Sequence, residues 1–192
     1  MAKSKGIGRL SFWTIQDIRW VLELHSAGIG TGDWRFTTQQ EKPSYLWMQE
    51  SMAKRGVLCG DTPPVWAWYT TQKQLLQNVS EFVSLSQLEK GMALVKFSPP
   101  VGDVVLSDYG AWCNIYFSLI EDPEKLCDNH SERLVFPLNF SRESVVQATL
   151  AQVKKSWVDD VVDLSAHSDL SLLDGLPSRY ESLSQFYQRY CS

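Results

Sequence analysis

The stretch Pro63-Pro64-Val65-Trp66-Ala67-Trp68-Tyr69 constrains the fold of this chain more than any other, because it is too apolar and too aromatic to be a connector. Two successive prolines end whatever precedes them. Neither can donate a backbone hydrogen bond, and the residue before each is pushed away from the helical region. A buried strand is expected to follow. Alternation puts Val65, Ala67 and Tyr69 on one face and Trp66 and Trp68 on the other. Two tryptophans side by side form either a core layer or the wall of a flat pocket that favours aromatic ligands.

At 192 residues the chain suits one domain of ordinary size, able to bury roughly 70% of the surface its unfolded form exposes. Folding therefore requires no metal or cofactor. Apolar residues make up 44% and charged residues 21%, the balance of a soluble globular protein, while eight tryptophans exceed ordinary usage and point to a stacking site. The longest apolar runs fall short of the ~20 residues that cross a bilayer, so no membrane association is expected. The basic start Met1-Ala2-Lys3-Ser4-Lys5-Gly6 precedes no sustained apolar segment or cleavage site, which predicts a cytoplasmic protein. Cys59, Cys113, Cys127 and Cys191 form no CxxC pair, and His25, His130 and His167 are equally scattered. No metal site is expected, and the cysteines read as reduced thiols.

Net charge is -4, which argues against general nucleic-acid affinity, yet the charge is uneven. Residues 1 to 100 carry 11 Lys+Arg against 8 Asp+Glu, and residues 101 to 192 carry 7 against 14. A basic face could meet phosphates while the acidic half faces elsewhere, or both could be ordinary solvated faces.

Local patterns predict the order of elements. Residues 9–16 are rich in aromatic and β-branched types and read as the first strand. Asp17 caps a helix from Ile18 to Ala27, which Gly28 stops. The run Gly28-Ile29-Gly30-Thr31-Gly32-Asp33 follows a helix, lacks a P-loop lysine and lacks the last glycine of GxGxxG, so it reads as a turn and not a phosphate loop. A helix over 44–55 ends at Gly56, and another short amphipathic helix lies within 73–90. Met92 to Phe97 is a strand ended by Pro99-Pro100, and Val104 to Asp108 returns as a short strand. Asp108 caps the next helix through Leu119. Residues 122–133 read as a surface loop or short helix, and a helix is expected near Ser141. Val145 to Val153 is strand-like with helix as a competitor, and Trp157 to Leu164 supplies either one more strand or a turn into it. Residues 165–175 read as a linker and 176–190 as a terminal aromatic helix that packs on the domain or on a partner. Strands and helices interleave without a βαβ rhythm, so the fold class is α+β.

Few residues point to chemistry directly. The acid pairs Asp159-Asp160 and Glu121-Asp122 sit in stretches that read as solvated turns. No GxSxG elbow occurs, and Cys113 beside Trp112 is the one cysteine whose neighbourhood keeps nucleophilic chemistry open.

Five motifs in order carry a resemblance over residues 10 to 164: Thr14-Ile15-Gln16; Trp47-Met48 with Lys54-Arg55-Gly56; Pro63 to Trp68; Val105-Leu106-Ser107-Asp108 with Ala111-Trp112; and Gln147-Ala148-Thr149. In these the chain resembles an uncharacterised bacterial and phage-encoded domain family with TIQ, PPxWAW and LLSDxxAW motifs. That family is remotely similar to ADP-ribosyltransferases, especially DarT-like toxins and the tRNA 2'-phosphotransferases. The resemblance implies a split β-sheet transferase-like domain over residues 9–164 with flanking helices, and a linker and C-terminal helix over 165–192. It implies NAD as cofactor, and an RNA or DNA substrate or a protein target in a toxin or phage-defence setting. An antitoxin or chaperone is the implied protein partner.

Carried onto this chain, the resemblance implies Gln16 and Gln147 as catalytic residues and Thr14, Gln16, Trp66, Trp68 and Tyr69 as the NAD site. Arg35, Lys54 and Arg55 are implied for pyrophosphate or nucleic-acid contacts. The chain departs from the family pattern at Gln147, where many transferases use glutamate. An amide can hydrogen-bond a ribose hydroxyl but adds no charge to stabilise the cation that grows as nicotinamide leaves. A degenerate transferase fold that only binds a partner is the competing expectation.

Overall fold

A computed structural model describes residues 10–69, 90–125, 129–141, 144–164 and 181–191. Eight strands and five α-helices occur among these residues. In chain order they are Phe12–Asp17 (β1), Ile18–Ala27 (α1), Ile29–Gly30 (β2), Lys42–Ala53 (α2), Val65–Trp68 (β3), Met92–Phe97 (β4) and Val105–Asp108 (β5). Tyr109–Glu121 (α3), Asn129–Val135 (α4), Val146–Leu150 (β6), Val153–Lys154 (β7), Val158–Asp163 (β8) and Leu183–Cys191 (α5) follow. The fold is mixed α+β, with a six-stranded antiparallel sheet in the order β5-β6-β3-β1-β4-β8 and a small β2-β7 ladder beside it.

Local chemistry sets the first turn of the chain. The Asp17 carboxylate accepts from the Arg19 backbone N–H at 2.8 Å and caps α1. Gly28 closes the helix in the left-handed region at φ 83°, with its N–H on the Leu24 carbonyl at 3.0 Å. The glycine-rich segment that follows runs toward the short 3-10 turn Trp34–Phe36. It forms β2, then crosses to the start of β3, where Gly32 lies so close that a Cβ would stand 2.3 Å from the Pro63 carbonyl oxygen.

Each sheet face has its own cover. Phe12, Ala67, Val95, Phe97 and Leu150 are buried beneath Val21 and Leu24 of α1 and Phe186 of α5. On the opposite face Val105 and Trp66 pack with Met48 and Met52 of α2 and with Trp112 and Ile115 of α3. Each fully buried large apolar side chain contributes about 1.5–3 kcal/mol, so these two layers hold the elements together. The described part of the terminal helix belongs to this arrangement. Arg189 pairs with Asp163 at 2.6 Å, and the Val161 and Glu181 backbones exchange hydrogen bonds at 2.9 and 3.2 Å.

Several expectations require correction. Val104 to Asp108 does not return beside β4: β5 lies at the far edge of the sheet and pairs with β6. No helix begins near Ser141 among the described residues, and residues 136–141 are irregular. Phe136 there packs its ring on Trp47 at 6.0 Å, and Pro137 has no N–H to offer a helix. The stretch 145–153 is extended but broken after Leu150, giving β6 and β7. The helix expected within 73–90 and the linker 165–175 fall outside the described residues, apart from Lys90.

Candidate functional site

The sheet is two three-stranded halves joined at β1 and β3. β1 pairs with β4 over all six of its residues, from Phe12↔Phe97 to Asp17↔Met92. β3 pairs with β6 over all four of its own, from Val65↔Leu150 to Trp68↔Gln147. Between β1 and β3 a single register pair, Trp13↔Trp68, remains. Beyond it a side chain replaces the ladder. The buried Thr14 hydroxyl donates to the Trp66 carbonyl at 2.7 Å, and Gln16 Nε2 donates to Thr14 Oγ1 at 2.8 Å. Thr14 and Gln16 therefore stand on one lip of the junction and Trp66 on the other.

Alternation along β3 is as the sequence predicts. Val65 and Ala67 enter the layer beneath α1, and Tyr69 joins them by packing on Phe12 at 5.7 Å. Trp66 enters the other layer. Its ring stacks on Trp112 at 5.1 Å and meets the Tyr45 ring edge-on at 5.6 Å. The same contacts continue from Trp112 to Trp47 at 5.9 Å and on to Phe136. Trp66 is thus a packing residue of the α2–α3 layer in this structure. Trp68, 9% exposed, meets Tyr109 edge-on at 4.9 Å, while Tyr69 is 45% exposed.

Gln147 lies in a cross-strand row on the face of Trp66 and Trp68. Register places Ser107, Gln147, Trp68 and Trp13 side by side on β5, β6, β3 and β1. Gln147 is 5% exposed and Ser107 is fully buried, yet neither Gln147 Oε1 nor Ser107 Oγ has a hydrogen-bond partner. Leaving a buried polar atom unpaired costs about 1–3 kcal/mol. These two atoms lie on neighbouring strands beside a tryptophan, where a buried water or a ligand would satisfy them. Gln147 is the position at which the resemblance implies a catalytic residue. Ser107 was missed as a site residue, although its place two residues after inward-facing Val105 marks it as a polar group aimed into the core.

The structure does not bring Gln16 and Gln147 together. Strand β3 lies between them, Gln16 stands three residues along β1 from the Trp13 that shares the Gln147 row, and they project from opposite faces: Gln16 shares the face of Thr14 and Phe12, whereas Gln147 shares that of Trp68. Gln16 acts on Thr14, not on anything at Gln147.

The basic residues are engaged locally. Arg35 pairs with Asp33 at 2.5 Å on the surface. Lys54 and Arg55 both pair with Glu132, at 3.2 and 2.9 Å, and Arg55 lies 3.8 Å from the Phe136 ring centroid. These cations hold the Glu132 carboxyl below the usual carboxylate range, the Arg55 hydrogen bond acting most. A different carboxylate, Glu41, accepts a 2.5 Å hydrogen bond from the Tyr116 hydroxyl. Burial, followed by this bond, drives the Tyr116 phenol well above its ordinary value. Among the described residues no group of three His, Cys, Asp or Glu could hold a metal ion, and no helix is long and apolar enough to cross a membrane.

Comparison with known proteins finds no matching family model and no significant match to a curated protein or a solved structure. The functional reading rests on the chain's own residues.

Proposed function

We propose that this chain is an NAD-dependent ADP-ribosyltransferase-like protein that modifies nucleic acid, RNA first, or protein, in the setting of a toxin or phage-defence effector. The observation that carries this reading is the division of the sheet into two halves at β1 and β3, where a threonine and a tryptophan carbonyl replace the ladder. The row beside it supplies two suitable groups. Trp68 offers an aromatic ring, and the unpaired Gln147 Oε1 can accept from a ribose hydroxyl. NAD, if bound, would supply a ribose–nicotinamide bond that breaks with its electron pair on nicotinamide, leaving the ribose carbon to an acceptor oxygen or nitrogen that gives up its proton. Gln147 would orient the ribose through its amide dipole, a weaker stabiliser of a developing cation than a carboxylate. Thr14 and Gln16 act as positioning residues that fix the two lips, and Trp66 backs them through its carbonyl.

A second reading, a transferase-like module that binds a protein partner without catalysis, is favoured by one observation. Within the row through Gln147 the only carboxylate is Asp160 on β8, and Lys96 stands 3.9 Å from it. Incubating the chain with labelled NAD and separate pools of RNA, DNA and protein distinguishes the two. Labelling of one pool that is lost in Gln147→Leu supports the enzyme. Absence of both transfer and NAD hydrolysis overturns it and leaves the binding module.

A further inference from the structure

We propose that a cavity beside the loop after α2 binds a neutral vicinal diol, carried by a nucleoside ribose or by a free sugar, with Asp103 as the group that recognises it. This inference does not rest on the transferase reading.

The cavity has a volume of about 320 Å³, within the range of small-molecule sites. Its walls come from both halves of the molecule: Thr31 follows β2, Asp103 precedes β5, Gln152 follows β6 and Trp157 precedes β8. None of the residues assigned above to NAD or to the target lines it.

The lining selects against anions. It contains no lysine or arginine: Lys54 and Arg55, beside Gly56, are held by Glu132, Lys155 donates to the His25 carbonyl at 3.0 Å, and Lys154 lies over the Trp157 ring at 5.0 Å from its centroid. Asp103 is its one acid, and this carboxylate makes no ion pair or hydrogen bond among the described residues. A free phosphate would meet that negative charge with no cation in the lining itself to offset it. Hydroxyl donors suit it: two adjacent hydroxyls can each give a charge-assisted hydrogen bond to one carboxylate, the arrangement by which acidic residues hold ribose in dinucleotide folds. The Gln152 amide and the Thr31 hydroxyl, neither of them bonded within the described residues, provide further donors and acceptors. The Thr62 hydroxyl is already committed to the Cys59 carbonyl at 3.2 Å. Burial pushes the Cys59 thiol up to about 11, so it adds no second negative charge. The buried Trp157 ring gives a flat wall for the apolar face of a sugar or base.

Gly102 makes the proposal sharply testable. It lines the cavity, and a Cβ there would meet nothing within 4 Å, so Gly102→Leu fills the space without backbone strain. The full chain is titrated by calorimetry with adenosine, 2',3'-dideoxyadenosine, AMP and free ribose up to millimolar concentration. Expected are saturable binding of adenosine, a loss of roughly tenfold or more without the diol, and no gain from the phosphate of AMP. Ribose binding as well as adenosine assigns the diol to a free sugar; adenosine binding alone assigns it to a nucleoside. Gly102→Leu should abolish binding with an unchanged circular dichroism spectrum. Asp103→Asn, which keeps the side-chain shape, should weaken binding by about tenfold and supports the same conclusion should the leucine variant not fold. Binding of neither adenosine nor ribose, equal binding of the dideoxy compound, or unchanged binding in Asp103→Asn overturns the proposal. Transfer from NAD that persists in both variants leaves the transferase reading untouched.

Discussion

The Thr14 hydroxyl donates to the Trp66 carbonyl at 2.7 Å, across the junction where β1 and β3 hold only one register pair. The side chain does what a backbone N–H would do in a continuous ladder. Thr14→Val keeps the shape, removes the donor and leaves a carbonyl unpaired beside the core. A loss of about 1–3 kcal/mol is expected in denaturant unfolding. Gln16→Leu, which removes only the outer bond to Thr14 from a half-buried side chain, should cost no more than about 1.5 kcal/mol. A larger loss for Gln16→Leu than for Thr14→Val would contradict this division of roles.

Features set by neighbouring residues were legible in the sequence. The Asp17 and Asp108 caps, the Gly28 stop and the alternation of β3 all depend on residues within a few positions of one another. Strand order depends on partners far along the chain, and two adjacent extended segments such as β4 and β5 carry no local mark that they lie on opposite sides of the sheet. The candidate site suffered in the same way. Gln16 and Gln147 both looked like site residues, but which face each occupies follows from the Trp13↔Trp68 register. Trp66 was readable as buried, whereas its engagement by Trp112 required the docking of α3.

Gln147 and Ser107 should show a trade between stability and function. Their polar atoms are buried and unpaired, so Gln147→Met and Ser107→Ala relieve a desolvation cost. Each is expected to raise stability by roughly 0.5–1 kcal/mol, which for a chain of this size moves Tm upward by about 1–4 °C. Any activity or ligand binding at the row should fall in the same variants. Thermal melts read the first effect and NAD turnover the second; a lower Tm in both variants would show that these groups support the fold.

His25 predicts a pH dependence near neutrality. Its ring stacks on Tyr187 of α5 at 4.0 Å, and its Nδ1 is buried without a partner. Burial, followed by the positive charge of Lys155, lowers its pKa from the ordinary 6.5. The unfolded chain therefore takes up a proton at a higher pH than the folded one. This contribution to stability is complete above about 6.5 and is lost as the pH falls through the folded value. Denaturant unfolding of the native chain and of His25→Phe, compared at pH 7.5 and 5.5, isolates it. The native chain should lose more stability between the two conditions than the variant, and parallel losses would exclude His25 as the source.

Arg55 and Lys54 share Glu132 but should not share its consequences. Lys54 is mostly exposed, and its pair at 3.2 Å belongs to a class worth about 0–1 kcal/mol, so Lys54→Ala is expected to be nearly neutral. Arg55 is more buried. It donates to the Ser51 carbonyl at 2.8 Å as well as to Glu132, and its guanidinium covers the Phe136 ring. Removing it deletes a cation–π contact and two hydrogen bonds together, for a loss of about 1–3 kcal/mol. A salt series separates this structural role from phosphate recognition. If Arg55 acts through Glu132 and Phe136, Arg55→Ala lowers the unfolding midpoint and leaves the salt slope of any nucleic-acid binding unchanged. A direct phosphate contact would instead reduce that slope by about one.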